Sequence, residues 1–222
     1  MRSERGTELD AVLEDVCDVC RRLHARNLVA AADGNVSVRL GDGRIAITPA
    51  GAVKSRLQPS QMALLEADGT VVRGAPSSER LMHLAIYRAR PDARAVVHAH
   101  PPTAIAWTVA RPDLRELPAD VLPEVMLAVG AIPVVPYARP GTAAVGDGLL
   151  PHLARRRLLI LARHGAVCWG ESLEEAYNGM ERVEHVAQIL KAAHELGGVT
   201  PLPPGELAAL AQVLAALGPR VL

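Results

Sequence analysis

At 222 residues, half of them hydrophobic, the chain is long enough to bury one large core, and we treat residues 1–222 as a single domain. The 24 basic and 24 acidic residues give a formal net charge of zero, which argues against nucleic acid or an anionic membrane surface as the partner. Apolar stretches stop short of a membrane span and the charged N-terminus does not resemble a signal peptide, so we expect a cytoplasmic protein.

The first predicted element is an amphipathic helix from about Leu9 to Leu28. It contains Cys17 and Cys20, a Cys-x-x-Cys spacing that also occurs in redox and zinc sites. Both cysteines fall on the core-facing side, and the sequence has no second cysteine pair to complete a zinc site, so we predict a structural role. Cys168, in Ala-Val-Cys-Trp, is predicted to lie in the core of a strand.

Two hairpins and a helix are predicted next. The hairpins pair 35–40 with 44–48 across Gly-Asp-Gly, and 63–65 with 70–72. Ser77-Ser78-Glu79 is expected to open a helix to about Arg88, with serine as its cap. A strand over 94–100 and a helix from about Thr103 to Val109 follow.

The second half of the sequence continues to alternate between strands and helices. After a proline-broken loop come a strand at 131–135, a helix at 142–154 and strands at 158–161 and 166–169. Ser172 is expected to cap a long helix to about Leu196, and a short helix ends near Leu217. Because several strands are joined by tight hairpins, we predict an α/β fold whose mixed, largely antiparallel sheet has helices on both faces.

Lysine is rare, which restricts the possible mechanisms. Lys54 and Lys191 are the only lysines in the sequence. A Schiff-base enzyme needs a buried lysine with a lowered pKa. We place Lys54 in a polar loop and Lys191 on the exposed side of a helix, so neither is expected to serve.

Histidines provide the main chemical signal. His98 and His100 are two residues apart in a predicted strand, and alternation places both on one face. His164, which precedes Gly165, lies at the end of another strand. Three such histidines suit a divalent metal site, although each one taken singly is more often an ordinary hydrogen-bonded residue.

Polar motifs also cluster at element ends. Gly34-Asn35-Val36-Ser37 begins a strand, Thr48-Pro49-Ala50-Gly51 ends one, and Ser77-Ser78-Glu79 starts a helix. Backbone amides at glycine turns and helix N-termini hold anions such as phosphate, and serine hydroxyls add donors. Each motif alone is equally an ordinary turn or cap.

The order of these motifs resembles the class II aldolase and adducin head family, over roughly residues 9–195. The resemblance rests on Gly34-Asn35-Val36-Ser37-Val38-Arg39, Thr48-Pro49-Ala50-Gly51, Ser77-Ser78-Glu79, His98-Ala99-His100-Pro101, the segment from Ile132 to Tyr137 with Gly141-Thr142, and His164-Gly165. It implies a three-layer αβα fold with a central, mainly antiparallel sheet. It also implies a homotetramer with active sites between subunits.

The resemblance further implies the residues of the site. His98, His100 and His164 would bind Zn²⁺, and Glu79 would be a ligand in the empty site. Glu79 would become the catalytic acid/base once the substrate displaces it. The substrate phosphate would be bound by Gly34, Asn35, Gly51, Ser77 and Ser78.

The activity that the resemblance implies is aldol cleavage of a ketose 1-phosphate. L-fuculose 1-phosphate or a related deoxypentulose phosphate would give dihydroxyacetone phosphate and a small aldehyde. Relatives with the same metal set are dehydratases of methylthioribulose 1-phosphate, sugar-phosphate epimerases and decarboxylases of 3-oxo acid phosphates. A non-catalytic, adducin-like interaction module is the last alternative, because all four metal-site residues are retained.

Two departures from the family pattern concern phosphate binding and proton transfer. Ala50 replaces a serine or threonine, so one hydroxyl is lost from that turn. The tyrosines that move a proton on the aldehyde fragment are also missing. One falls near Leu122, and no tyrosine follows Tyr177. Glu124 is a candidate replacement or, equally, a surface carboxylate.

Overall fold

A computed structural model describes residues 2–217, with side-chain surroundings for residues 9–216. The helices are α1 (Arg2–Ala25), α2 (Arg80–Ala89), α3 (Pro102–Ala110), α4 (Pro123–Ala128), α5 (Ala143–Leu153), α6 (Leu173–Glu195) and α7 (Pro204–Leu217). The strands are β1 (Asn35–Arg39), β2 (Ile45–Ile47), β3 (Ala63–Leu65), β4 (Val71–Arg73), β5 (Ala95–Ala99), β6 (Glu116–Leu117), β7 (Ile132–Val135), β8 (Leu158–Leu161) and β9 (Gly165–Gly170). Among these helices, none combines the length and apolar character needed to cross a membrane.

Within residues 2–217 the strands form one sheet in the order β4-β3-β2-β1-β5-β9-β8-β7-β6. Neighbouring strands are antiparallel except β7 and β8, which run parallel. Both predicted hairpins are present, with Val38 opposite Ala46 in the first and Leu65 opposite Val71 in the second. The predicted mixed, mainly antiparallel sheet is confirmed.

Helices cover both faces of the sheet, because alternate strand residues point to opposite sides. In β5, Val97 belongs to a core shared with α1, α3, α4 and α6. Its neighbour Val96 belongs to a second core shared with α2 and α5. This arrangement is the expected three-layer αβα architecture.

The cysteines lie where the helical and strand patterns predict. Cys17, Cys20 and Cys168 are free thiols within the apolar core. Burial raises the pKa of the Cys17 thiol to about 11 and that of Cys20 to about 12. Thiols held in this protonated form are poor nucleophiles and metal ligands, which agrees with a structural role.

The two serine caps have different outcomes. Ser172 caps α6 as predicted, since its Oγ accepts a hydrogen bond from the Glu175 N–H at 3.1 Å. The predicted serine cap of α2 is wrong: the residue before the helix is Glu79, which makes no side-chain capping bond. Ser77 Oγ accepts instead from the Glu79 N–H at 3.2 Å, one residue ahead of the helix. The Glu79 carboxylate is therefore free to point elsewhere.

The segment predicted as a proline-broken loop contains short elements. β6 pairs with β7 through only two residues, too few for a recognisable alternation. α4 is six residues long and begins at Pro123. Proline is favoured at the first helical position, so here it marks a helix start as well as a break.

Candidate active site

The three predicted histidines meet at one edge of the central strands. His98 is fully buried in β5, His100 follows the end of that strand, and His164 lies in the turn between β8 and β9. Nitrogen atoms of the three rings lie within 4.8 Å of one another. We call these residues the histidine cluster.

Strand pairing and one glycine build the cluster. Because Ala99 of β5 pairs with Ala166 of β9, the turn that precedes β9 lies beside the end of β5. The His164 N–H closes this turn on the Leu161 carbonyl at 3.0 Å. At Gly165 a Cβ would overlap the Ala99 carbonyl oxygen and approach His100 Cδ2 to 2.9 Å. Only glycine fits here without moving the histidines.

Hydrogen bonds orient the rings so that lone pairs converge. His98 Nδ1 lies 2.9 Å from the Ala166 carbonyl, which can only accept, so Nδ1 carries the proton and Nε2 of the neutral ring has a lone pair. His100 Nδ1 faces the Asp33 carboxylate at 3.4 Å, which places the proton on Nδ1 and the lone pair on Nε2, as in His98. The two Nε2 atoms are 3.2 Å apart. Burial, together with the neighbouring His98 and His164, lowers the pKa of His100 to about 4, which keeps its ring neutral.

Glu79 completes the group. Its Oε2 lies 3.2 Å from His98 Nε2, and its Oε1 lies 3.2 Å from His164 Nε2. Asn35 Nδ2 donates to Oε2 at 2.9 Å, whereas the buried Oε1 has no partner in hydrogen-bonding geometry. Burial acts to raise the pKa of Glu79, but a proton or a cation shared with His164 and His98 outweighs burial and holds that pKa well below its usual range. The carboxylate is therefore ionised.

The donor set fits a divalent cation. Two imidazole lone pairs and a carboxylate face one another across about 3 Å, an arrangement that repels unless a proton or a cation lies between them. Histidine nitrogen and carboxylate oxygen are common ligands of zinc and other divalent metals. The orphaned Glu79 Oε1 also needs a positive partner.

The three predicted phosphate motifs lie next to one another. Backbone hydrogen bonds join Thr48 N–H to Val36 O at 3.0 Å, Ala50 N–H to Ala75 O at 3.0 Å and Ser77 N–H to Thr48 O at 3.1 Å. Ser77 is buried and Ser78 is exposed. The Thr48 motif therefore lies against the strand that carries Asn35, and the Ser77 motif lies against the Thr48 motif.

Both predicted glycines of these motifs have φ of +69°, a region that non-glycine residues rarely adopt. At Gly34 a Cβ would also lie 2.7 Å from the His98 carbonyl oxygen, so the loop packs directly against β5. Gly51 faces open space instead. Left-handed backbone of this kind can direct N–H groups at an anion.

The prediction that Lys54 sits in a polar loop is wrong. Lys54 starts a short 3₁₀ helix, is 2% exposed, and donates from Nζ to the carbonyls of Ala32 and Ala52 at 2.9 Å each. Burial lowers its pKa, but the two carbonyls hold the ammonium form in place. Its hydrogen bonds join the loop before Gly34 to the loop after Gly51. Lys191 is exposed, as predicted.

Sequence reasoning missed a buried polar ladder beside the cluster. Glu79, His83 and Tyr87 face Asn35 and Ser37 across the contact between α2 and β1, and we call these five residues the polar seam. The signal was present as a four-residue spacing on the helix against a two-residue spacing on the strand. Both spacings put side chains on one face.

The structure does not bring Glu124 into this group. Glu124 is exposed in the first turn of α4. The two buried tyrosines are otherwise engaged, Tyr87 with Ser37 and Tyr177 with Glu181. Tyr137 is 61% exposed.

Comparisons with known proteins agree on one family. The model of the Class II Aldolase and Adducin N-terminal domain matches residues 14–190. The chain is 35% identical over 183 residues to 3-oxo-tetronate 4-phosphate decarboxylase of Escherichia coli K12, covering 80% of this chain and 84% of that protein. It is 33% identical over 173 residues to L-fuculose phosphate aldolase of Methanocaldococcus jannaschii, covering 77% and 91%.

A solved structure is similar over nearly the whole chain. YgbL from Escherichia coli, described as a putative aldolase/epimerase/decarboxylase, superposes with a TM-score of 0.82 at 32% identity. The match covers 91% of this chain and 98% of that protein. The predicted fold class is confirmed at this level of detail.

Proposed function

This chain belongs to the class II aldolase and adducin N-terminal domain family, and on that premise we propose that it is a metal-dependent lyase that decarboxylates a 3-oxo acid sugar phosphate. The expectation of an aldolase was drawn from the motifs alone. The Escherichia coli decarboxylase is 35% identical to this chain, whereas the Methanocaldococcus jannaschii aldolase is 33% identical. The single observation behind the choice is chemical: among the described residues of one subunit, the site offers a base, Glu79, whereas the buried tyrosines are engaged elsewhere.

His98, His100 and His164 would hold the metal, with Glu79 as a further ligand before substrate binds. The converging lone pairs support this assignment, and Zn²⁺ suits three neutral imidazoles. A divalent cation held there would polarise the ketone of the substrate. We also propose the homotetramer that the family resemblance implies.

Substrate phosphate would bind on the other side of Glu79. Gly34, Asn35, Gly51, Ser77 and Ser78 are proposed for this role, because their loops adjoin one another beside the cluster. Asn35 Nδ2 uses one hydrogen for Glu79, and an amide nitrogen has two. Phosphate held remotely from the breaking bond supplies binding energy that orients the substrate.

The reaction of a 3-oxo-tetronate 4-phosphate breaks the C1–C2 bond. C1 leaves as CO2, the electron pair stays on C2 next to the C3 carbonyl, and protonation of C2 gives dihydroxyacetone phosphate. Glu79 would deliver that proton, taken up from solvent. Contacts with His98 and His164 lower the pKa of Glu79, whereas burial raises it. A substrate that displaces Glu79 from these histidines would remove the lowering effect, and the burial that remains would raise the pKa. A carboxyl with a raised pKa can carry a proton.

Decarboxylation removes the need for the missing tyrosines. An aldol cleavage must take a proton from the hydroxyl at the breaking bond, whereas release of CO2 requires no such base. Tyr87 and Tyr177 are engaged elsewhere.

Aldol cleavage of a ketose 1-phosphate is the second candidate, favoured by the relative from Methanocaldococcus jannaschii. Both reactions pass through the same enediolate of dihydroxyacetone phosphate. They differ in the fragment that leaves, which is CO2 in one case and an aldehyde in the other. The shared half-reaction is therefore testable before the substrate is identified.

The test uses zinc-loaded protein and dihydroxyacetone phosphate in D2O. We expect enzyme-dependent exchange of one carbon-bound hydrogen, slowed about 10²–10⁴-fold in Glu79→Gln, which lacks the base. CO2 release from 3-oxo-tetronate 4-phosphate, without condensation of dihydroxyacetone phosphate with short aldehydes, supports the decarboxylase. Condensation without CO2 release would replace it with the aldolase, and absence of exchange by the wild type would overturn both.

A further inference from the structure

The polar seam is a continuous line of hydrogen bonds that ends on the proposed acid/base. Glu79, His83 and Tyr87 are four residues apart, so they lie on one face of α2 and its first turn. Asn35 and Ser37 lie on one face of β1 opposite them. His83, Tyr87, Asn35 and Ser37 are all buried. Burial of so many polar groups is costly unless each donor meets an acceptor.

The ionised carboxylate of Glu79 determines which group donates and which accepts in every hydrogen bond of the polar seam. An ionised carboxylate only accepts, so Asn35 must turn its Nδ2 toward Glu79, at 2.9 Å. Its carbonyl Oδ1 then faces His83 Nε2, with which it is hydrogen-bonded. Because Oδ1 only accepts, Nε2 must carry the ring proton.

The remaining bonds follow in the same direction. With its proton on Nε2, the neutral His83 ring accepts at Nδ1 from the Ser37 hydroxyl at 2.7 Å. Ser37 Oγ in turn accepts from the Tyr87 hydroxyl at 2.9 Å. Burial lowers the pKa of His83 to about 3, so the ring is neutral at physiological pH and has a single favoured tautomer.

The opposite tautomer of His83 would reverse the donors and acceptors of these hydrogen bonds. A proton on Nδ1 would leave a lone pair on Nε2 facing Asn35 Oδ1, and the amide would turn over to avoid it. Its oxygen would then face the Glu79 carboxylate, and two acceptors repel. Among the described residues, Asn35 donates the one hydrogen bond that the Glu79 carboxylate accepts in full hydrogen-bonding geometry. The position of the carboxylate thus depends on His83.

We propose that His83 is a positioning residue whose Nε2–H orients the Asn35 amide and thereby holds the Glu79 carboxylate for metal binding and proton transfer. This inference rests on the proposed role of Glu79. Ser37 and Tyr87 act through His83 by keeping its Nδ1 unprotonated. Neither His83 nor these two partners contacts the histidine cluster through a hydrogen bond in the described structure.

Two substitutions at residue 83 separate positioning from packing. Glutamine can present an amide N–H near the position of Nε2, whereas leucine fills space without a donor. For His83→Leu we expect the exchange rate at saturating dihydroxyacetone phosphate to fall about 10–100-fold, and zinc affinity to fall by a similar factor. KM should also rise, because the Asn35 amide that His83 orients is one of the proposed phosphate ligands, and His83→Gln should recover most of these losses.

Nitrogen NMR of the imidazole gives a readout that does not depend on activity. In the zinc-loaded wild type, His83 should be neutral with its proton on Nε2, and Ser37→Ala should give a mixture of tautomers. The Ser37 variant removes only one hydroxyl, so it is the second test if His83→Leu fails to fold.

Three results would overturn the proposal: a wild-type ring protonated on Nδ1, equal losses in the glutamine and leucine variants, or full zinc affinity and exchange in His83→Leu. If the wild type shows no exchange, the proposed function fails. The tautomer and the zinc affinities still decide whether His83 positions Glu79.

Discussion

The histidine cluster and the polar seam are adjacent, yet they treat buried polar groups in opposite ways. In the cluster, lone pairs of His98 and His100 and the carboxylate of Glu79 face one another with no donor between them. In the seam, each donor from Tyr87 to Asn35 meets an acceptor. The cluster and Glu79 are therefore complete only with a cation, whereas the hydrogen bonds from Tyr87 to Asn35 form an unbroken series without one.

The two regions are also held by different forces. Backbone pairing of β5 with β9, and the close approach at Gly165, place the histidines. One side-chain hydrogen bond, from Asn35, holds the carboxylate of Glu79. We propose that substrate displaces Glu79 from the metal, and a group in that role is better held by one amide than by packed backbone. Each prediction below disturbs one region and uses the other as its reference.

Gly165→Ala should have the largest effect, and it should fall on the cluster. The added Cβ overlaps the Ala99 carbonyl and crowds the His98 and His100 rings. We expect zinc affinity to fall at least about 10-fold and the free energy of unfolding to fall by about 1–3 kcal/mol. Calorimetric zinc titration and denaturant unfolding measure these two quantities.

Gly41→Ala is the matched control, because a Cβ there meets nothing within 4 Å. It should leave both quantities within about 0.5 kcal/mol of the wild type. The His83 tautomer should be retained in Gly165→Ala, since the seam is built from α2 and β1. Wild-type zinc affinity in Gly165→Ala would contradict the role of the backbone in building the cluster.

The sequence predicted the cluster better than the seam, for a physical reason. His98 and His100 are local in sequence, so strand alternation places them on one face, and the family resemblance joined them to the compact His164-Gly165 motif. The seam depends on which helix packs on which strand, and no local pattern gives that. His83 and Ser37 therefore stayed unnoticed, although their spacing carried the signal.

Errors elsewhere had similar origins. Lys54 looked like a loop residue because its neighbours are polar, and only the folded chain shows that two carbonyls receive its ammonium. The α2 cap was assigned to serine on propensity, but Glu79 occupies that position and turns toward the histidines. Caps and buried charges are decided by tertiary contacts that a single sequence does not encode locally.

Lys54→Met should have the next largest effect. This residue belongs to neither region and links the loops that carry Gly34 and Gly51. Removing the ammonium leaves the Ala32 and Ala52 carbonyls without their donor, which costs about 1–3 kcal/mol of unfolding free energy for a buried acceptor. The two loops that carry Gly34 and Gly51 also lose their link. We therefore expect a higher KM for dihydroxyacetone phosphate in the exchange assay, with little change in the saturated rate.

Lys191→Met provides the comparison, as the only other lysine in the chain and an exposed one. It should alter stability by less than about 0.5 kcal/mol and leave KM unchanged. Equal behaviour of the two variants would contradict the structural role of Lys54.

The smallest effect is a pH dependence of the unfolding free energy of the metal-free protein. It reports on His83, in the polar seam, and not on the histidine cluster. The pKa of His83 in the folded state is lowered to about 3, chiefly by burial, while an unfolded histidine titrates near 6.5. Its contribution to stability is thus fully present above about pH 6.5 and is lost as the pH falls, because only the unfolded state then binds the proton.

Between about pH 6 and pH 4 the wild type should lose unfolding free energy faster than His83→Gln, by about 1.4 kcal/mol per pH unit. The groups that face His83 are Asn35 and Ser37 from β1, with His98 and Glu79 acting on it electrostatically. The histidine cluster and Glu79 are present in both proteins, so their contributions largely cancel in the difference. Denaturant unfolding at several pH values gives the two slopes. Parallel slopes would mean that His83 is not held neutral, and the direction of the seam would then lose its physical basis.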